Sequence, residues 1–448
     1  MRKHICIIAV TLLTLGCQGF LDEKPQKSLV VPSTLSDLQA LMDNELLLMN
    51  LSPGIPTILS DEYLLKEDIL QSIAEPSERN GYVWADDLYE SGTNVDWIGM
   101  YEQIFYANVV LETLETIERT QSNSVQYDQI KGSAVFYRAH AYFNLLTLFA
   151  AMPQDGVELE KYGLIFKESA AIENPPFRLS VSESYAFVEA QLQLAEGLLQ
   201  EVNSFKTRPS KLAAKSILAR FYLFQGEFSK AEDAAEYVLD RYNVLIDYHQ
   251  IDPSAASTFI RFNNEVIYHS NTIDYLSSFI GEISPRLYDK YEHEDLRKSR
   301  FFNVDQSTGR VTFKGSYTGL FTLFSGMTTA ELYLILSECK IRNGSIQEGL
   351  ELLNALRKNR YEASTFTEVS FTDPTESLRE VFEERTRELV LRSLSWYDLR
   401  RLNHEPDFQR ILTKEVGSKT YTLMPNDLYY ILPLIDVEIQ TYGLEQNP

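Results

Sequence analysis

The sequence predicts a mainly α protein, a scaffold of paired amphipathic helices that carries an irregular, loop-rich lobe containing short strands. Three observations lead there. Apolar residues recur at three- and four-residue spacing over long stretches, the period of a helix with one buried face. Two other stretches, 52–94 and 243–327, lose that period and are rich in proline, glycine, serine and aromatic residues. Finally, 44% of the residues are hydrophobic, a globular proportion, with only three cysteines to supplement packing.

The chain opens with Arg2 and Lys3, followed by the apolar run Ile5–Leu15 and then Gly16-Cys17. A membrane-spanning helix needs roughly 18–20 apolar residues, so this run is too short and has the form of a signal segment. A cysteine directly after such a run resembles a bacterial lipobox, although Thr14 and Leu15 stand where leucine and a small residue are more usual. Residues 1–16 are then a lipoprotein signal peptide that is removed, Cys17 is lipidated, and residues 17–34 form the tether. An ordinary signal peptide with a chance cysteine is the alternative. Loss of Arg2 and Lys3 takes the net charge from −23 to −25 and leaves 432 of the 448 residues. Cys6 leaves too, so Cys339 is the one thiol left in the body, expected as a small buried hydrophobe in a helix.

The body, residues 35–448, begins with a helix over Ser36–Leu51, where Ser36 can cap. Helices are then expected at Val95–Glu118, Gln126–Ala150, Ser182–Val202, Lys211–Gln225 and Ser229–Arg241. They resume at Thr328–Asn343, Ser345–Arg360 and Glu376–Leu402. The scaffold thus covers about 95–242 and 328–403, the irregular lobe segments 52–94 and 243–327, and a C-terminal tail 404–448.

A weak repeat lies within this order. Lys211–Leu239 reads as a tetratricopeptide-type helical hairpin, with Ala219, Tyr222, Gly226, Ala231 and Ala235 at its spacing. Thr328–Leu356 repeats the plan with Ser337, Gly344, Gly349 and Leu353, and Ala139–Tyr142 repeats the spacing of Ala219–Tyr222. Small residues at such points let paired helices approach closely.

The acidic balance argues against nucleic acid as a partner, because phosphates need a basic surface. The sequence contains no HExxH, CxxC, GxGxxG, P-loop or GxSxG pattern, and its six histidines are dispersed. No catalytic residue, metal site or cofactor is therefore expected. Asn303–Ser307 faintly resembles a calcium loop, but Lys314 stands where a carboxylate would be needed. Glu383–Arg401 is the densest charged stretch. Glu384 and Glu388 share a helical face, and Asp398 can reach Arg401, so it reads as a buried, ion-paired hub.

Several runs together resemble one family. They are Phe20-Leu21-Asp22, Trp97 with Tyr101 and Asn108, Phe136–Phe143, Asp295 with Arg297 and Lys298, and Ala330-Glu331 with Leu334. Glu384-Arg385, Glu388-Leu389, Asp398-Leu399 and Arg401 belong with them, as does the tail Leu432-Pro433, Glu438-Ile439 and Gln446–Pro448. Their order over Cys17–Pro448 is similar to that of the SusD/RagB nutrient-binding lipoproteins of Bacteroidetes. The chain departs at Arg392-Ser393-Leu394-Ser395, where the family often shows Glu-Gly-x-Arg.

The resemblance implies a tetratricopeptide-like scaffold and a lipid-anchored, surface-exposed position on the outer membrane. It also implies a SusC-like TonB-dependent transporter as partner and non-catalytic capture of an oligosaccharide or peptide. A helical-repeat adaptor without a small ligand, or a surface glycan hydrolase, are the competing functions. No binding residue carries over from the family, because its ligand loops vary. From the residues themselves, sugar faces stack on aromatic rings while hydroxyls seek polar partners. Trp97 and Trp396 lie in helices and are expected in the core. Trp84 lies outside any expected helix, with Tyr82, Tyr89, Asp86 and Asp87 around it, and Tyr275 and Tyr317 are the comparable aromatics of the second irregular segment. The expectation is that the two irregular segments meet to form the binding face, with Trp84 as stacking platform.

Overall fold

The structure, a computed structural model, describes residues 32–448. The signal segment, Cys17 and most of the tether fall outside the described residues. Among the described residues no helix is long and apolar enough to cross a membrane.

The scaffold is built from helices α1 (Val95–Glu115), α2 (Ser124–Phe149), α3 (Val181–Leu198), α4 (Lys211–Gln225), α5 (Phe228–Leu239), α6 (Thr329–Arg342), α7 (Ile346–Arg357), α8 (Pro374–Glu388) and α9 (Leu394–Leu402). Shorter helices are named by their residues. Side chains cap the starts of several helices. Asn94 accepts from Trp97 N at 2.7 Å, Ser210 from Ala213 N at 3.1 Å, and Ser180 and Glu183 form a reciprocal capping box. Gly226 closes α4 in the left-handed conformation, which glycine adopts without a Cβ penalty.

Successive helices pack on one another from α1 through α5, and α5 packs directly on α6. The hairpins α4–α5 and α6–α7, far apart in the chain, are therefore neighbours in one continuous stack. Ala139, Ala219, Ala231 and Ala235 are all fully buried at the crossings. Gly349 shows why small residues recur here: a Cβ on it would lie 2.6 Å from Ile341 Cγ1 and 2.7 Å from Ser337 O. Ser337 Oγ uses that closeness to donate to Gly349 O at 2.7 Å. Trp97, Trp396 and Cys339 are buried as expected.

Two expectations need correction. The first helix is shorter than Ser36–Leu51: an α-helix covers Leu35–Met42, capped by Thr34 and not by Ser36, and a π-turn Glu45–Met49 follows. The single helix expected over Glu376–Leu402 is instead α8 and α9, broken by Leu391 (φ +55°) and Ser393 (φ +63°). Tertiary bonds hold that break: Glu62 accepts from Leu391 N at 2.7 Å and Ser393 Oγ donates to Pro53 O at 3.1 Å. Ser393 thus occupies, in left-handed geometry, the position where the family often carries glycine.

Segment 52–94 is also less irregular than its prolines suggest. It holds short helices at Ile55–Leu59, Glu67–Ser72 and Pro76–Tyr82, with Pro56 and Pro76 in first turns, where a missing N–H costs nothing. Segment 243–327 does contain short strands. Val266–Tyr268 pairs with Met327–Thr328, and Phe302–Val304 forms a hairpin with Val311–Phe313. Asp305 tightens that hairpin by accepting from Ser307 N at 2.8 Å, so the Asn303–Ser307 run is a turn. The tail returns to the scaffold, Asn447 Nδ2 donating to Phe149 O at the end of α2.

Candidate functional site

The two irregular segments meet. Leu51–Ser52 runs parallel to Asn271–Thr272, and Tyr63–Leu64 pairs antiparallel with Glu282–Ile283. Two buried carboxylates clamp the seam from below. Asp96, in the first turn of α1, accepts from Gly54 N (3.0 Å), Ile55 N (2.9 Å) and Tyr275 Oη (3.1 Å). Burial pushes its pKa up to about 6, although those three donors pull the other way. Glu78 takes the backbone N–H groups of Leu276 and Ser277.

The candidate aromatics serve this architecture from the inside, which corrects the expectation that Trp84 offers a stacking face. Only 8% of Trp84 is exposed, its Nε1 donates to Leu59 O at 2.9 Å, and Lys414 Nζ lies 4.5 Å from the ring centre. Tyr82 and Tyr89 are buried, with Tyr82 Oη accepting from Leu65 N and Tyr89 Oη donating to Pro433 O. Tyr275 is bound to Asp96, and Tyr317 donates to Glu265 at 2.6 Å beneath Arg392. Each has its polar atom satisfied within the protein and its ring in the core, so none presents a ring face to a ligand.

Asp86 and Asp87 are exposed, in a loop where Trp84, Glu90 and Ser91 all adopt left-handed backbone geometry. Such strain gathers where surroundings over-determine a loop, and functional sites are frequent among them. Asp87 Oδ1 accepts from Glu90 N, and Arg79 pairs with Glu90 at 2.7 Å.

The side chains that face solvent at the seam are others. Val95 and Ile98 lie on the outward side of α1's first turn, flanking buried Asp96; Leu276 and Phe279 follow Tyr275, and Phe279 is 51% exposed. The Asp96–Tyr275 bond ties the first turn of α1 to the segment that carries Leu276 and Phe279, and a Cβ on Gly99 would come within 2.8 Å of Ile273. Exposed apolar groups, with acids nearby, form a surface suited to the apolar face and hydroxyl rim of a sugar. The sequence signal for Leu276 was the in–out alternation from Tyr275 to Ser277, legible only once the inward pair is known, while Phe279 is turned outward by the short helix Ser277–Ile280.

The charged hub lies elsewhere. Glu384 and Glu388 are fully buried against Arg297, Arg360 and Arg387, and Asp398 receives Arg385 and Arg401. Burial raises the pKa of Glu384, but Arg297, Arg387 and Arg357 more than reverse it and hold it well below the usual range. A cavity of about 320 Å³ beside the hub is lined by Glu62, Arg385 and Asp398. Its ions are largely paired with one another, as a structural hub requires. Among the described residues no cluster of His, Cys, Asp and Glu could hold a metal ion.

A sequence model described as "Starch-binding associating with outer membrane" matches residues 19–223, and the SusD family model matches residues 324–448. The chain belongs to the SusD/RagB family. SusD-like protein P2 of Formosa agariphila is 23% identical over 474 residues, covering 90% of this chain and 91% of that protein. A SusD superfamily crystal structure from Bacteroides thetaiotaomicron superposes with a TM-score of 0.73 at 20% identity, over 93% of this chain and 100% of that one. A SusD-like carbohydrate binding protein from Bacteroides vulgatus gives 0.69 at 19% identity, over 92% and 97%. The likeness extends across scaffold and lobe alike, so the helical-repeat fold of this SusD-like chain is that of its neighbours.

Proposed function

We propose that this SusD-like protein is a non-catalytic, surface-exposed lipoprotein that captures a glycan at the lobe seam. It then passes the glycan to a SusC-like TonB-dependent transporter in the outer membrane. The observation that carries the reading is the exposed apolar strip of Ile98, Leu276 and Phe279 on a seam clamped by Asp96 and Glu78. A rigid platform of this kind binds without first ordering itself, which saves affinity. The starch-binding description of the family and the carbohydrate binding of the B. vulgatus neighbour support a glycan as occupant. Asp86 and Asp87 are the acceptors we assign to hydroxyls at the rim. Catalysis finds little support, since the close carboxylates Glu384 and Glu388 are committed to arginines. Lipidation at Cys17 would supply the anchor, each buried CH₂ contributing roughly 0.8 kcal/mol.

A glycan and peptide array with the soluble form, residues 18–448, identifies the ligand, and calorimetry follows with Phe279→Ala. Loss of one exposed anchor should cost roughly 1–3 kcal/mol of binding with unchanged melting. Peptide binding without any glycan binding, or unchanged affinity in Phe279→Ala, would contradict the reading. Extraction in mild detergent should bring down a much larger β-barrel, and elution alone at native expression would remove the transporter from it.

A further inference from the structure

A second concave surface lies outside the seam, where the loop between α3 and α4 approaches the start of the body. Asp43, Glu45, Phe205, Lys206, Arg208 and Phe262 line a cleft of about 400 Å³. Phe205 is 59% exposed and Phe262 38%, among the larger apolar groups left in water. Neither sits on slack chain. The loop carrying Phe205 is tied down directly after it: Lys206 O accepts from His269 N, Lys206 Nζ donates to Asn263 O, and Thr207 O accepts from Asn50 and Tyr137. Phe262 is held in left-handed geometry (φ +61°) with His269 against its ring. Arg208 and Arg261 lie over the rings of Phe205 and Phe262, at 4.8 and 4.3 Å from the centroids.

Both acids of the cleft are neutralised. Arg208 binds Asp43 in a two-pronged contact of 2.8 and 2.6 Å, and Arg261 pairs with Glu45 at 3.2 Å. Lys206 Nζ is turned to Asn263 O, and a cationic ligand would find no free carboxylate there. The paired carboxylates keep lone pairs and the guanidiniums keep N–H groups, which suits a neutral molecule rich in hydroxyls and flat apolar faces. We propose that this cleft is a second saccharide subsite, with Phe205 and Phe262 as its stacking walls and Asp43 and Glu45 as hydroxyl acceptors. The ligand class rests on the glycan reading above; the site is independent of the seam.

The test uses the full chain in detergent, with laminarin, soluble starch and xyloglucan as polysaccharide probes in affinity electrophoresis, and the hexasaccharide of whichever binds in calorimetry. Phe205→Ala removes an exposed ring, and Phe262→Asn removes the other while keeping a residue that tolerates left-handed backbone. Both should melt as wild type. Each should weaken polysaccharide binding roughly tenfold, as expected when one of two linked sites is lost. The hexasaccharide should fill two sites in wild type and one in either variant. Single-site filling in wild type, or unchanged retardation of both variants while Phe279→Ala loses binding, would overturn the second subsite alone. Absence of binding to all three glycans by wild type would overturn it together with the proposed function.

Discussion

Arg297 donates from Nη1 to Oε2 of Glu388 across 3.0 Å, and neither side chain reaches solvent. The arginine belongs to the lobe, in the short helix Arg297–Phe301, and the glutamate to the last turn of α8. Glu388 also receives Arg360, which reaches on to Glu265 at 2.7 Å. One buried carboxylate therefore joins the lobe to the scaffold and positions the segments that form the seam.

Glu388→Ala should be strongly destabilising, because it strands two buried guanidiniums. A buried pair broken from one side costs roughly 3–5 kcal/mol, with Asp295, Glu384 and Glu265 softening the loss toward the lower end. Urea unfolding measures it, and a loss below about 1 kcal/mol would show that the hub is not holding the lobe.

Glu62 introduces a pH dependence. Burial raises its pKa to about 7 from 4.5, against the opposing bonds from Leu391 N and Ser60 Oγ. A raised carboxylate pKa means that the folded state favours the protonated form. The stability it contributes is complete below the unfolded value near 4.5 and is lost as pH rises through about 7. Relative to Glu62→Gln, wild type should lose about 3 kcal/mol across that interval. Parallel curves for the two proteins would disprove the assignment.

Trp84→Ala should behave as a core substitution. Removing the indole leaves a void between Leu59 and Lys414 and should cost roughly 3–5 kcal/mol. Differential scanning calorimetry reads this as a clear fall in Tm, while glycan affinity of the folded protein stays within about twofold. A drop in affinity without a change in Tm would return Trp84 to the binding face.

Cys17→Ala should abolish incorporation of radioactive palmitate and release the protein from the membrane fraction. Equal labelling of variant and wild type would remove the lipobox reading.

Much of this was legible in the chain alone. Helix α4 runs over Lys211–Gln225 as its period and the turn glycine Gly226 predict, since such signals act between residues a few positions apart. The small residues at 219, 231 and 349 announced close helix pairs, and the alternating charges of 383–401 announced an ion-paired hub. These are local patterns, and the sequence determined them by itself. Tertiary structure decided what distant segments do to one another. Glu62 and Pro53, distant in the chain, hold the break between α8 and α9, and Asp96 and Glu78 fasten the segment in which Tyr275 points inward and Leu276 and Phe279 stay in water. An aromatic in an irregular segment can line a core or face a ligand equally well by composition. Trp84, Tyr82, Tyr89, Tyr275 and Tyr317 went inside because buried backbone carbonyls and carboxylates offered their N–H and O–H groups partners, and a satisfied polar atom is what lets such a ring be buried.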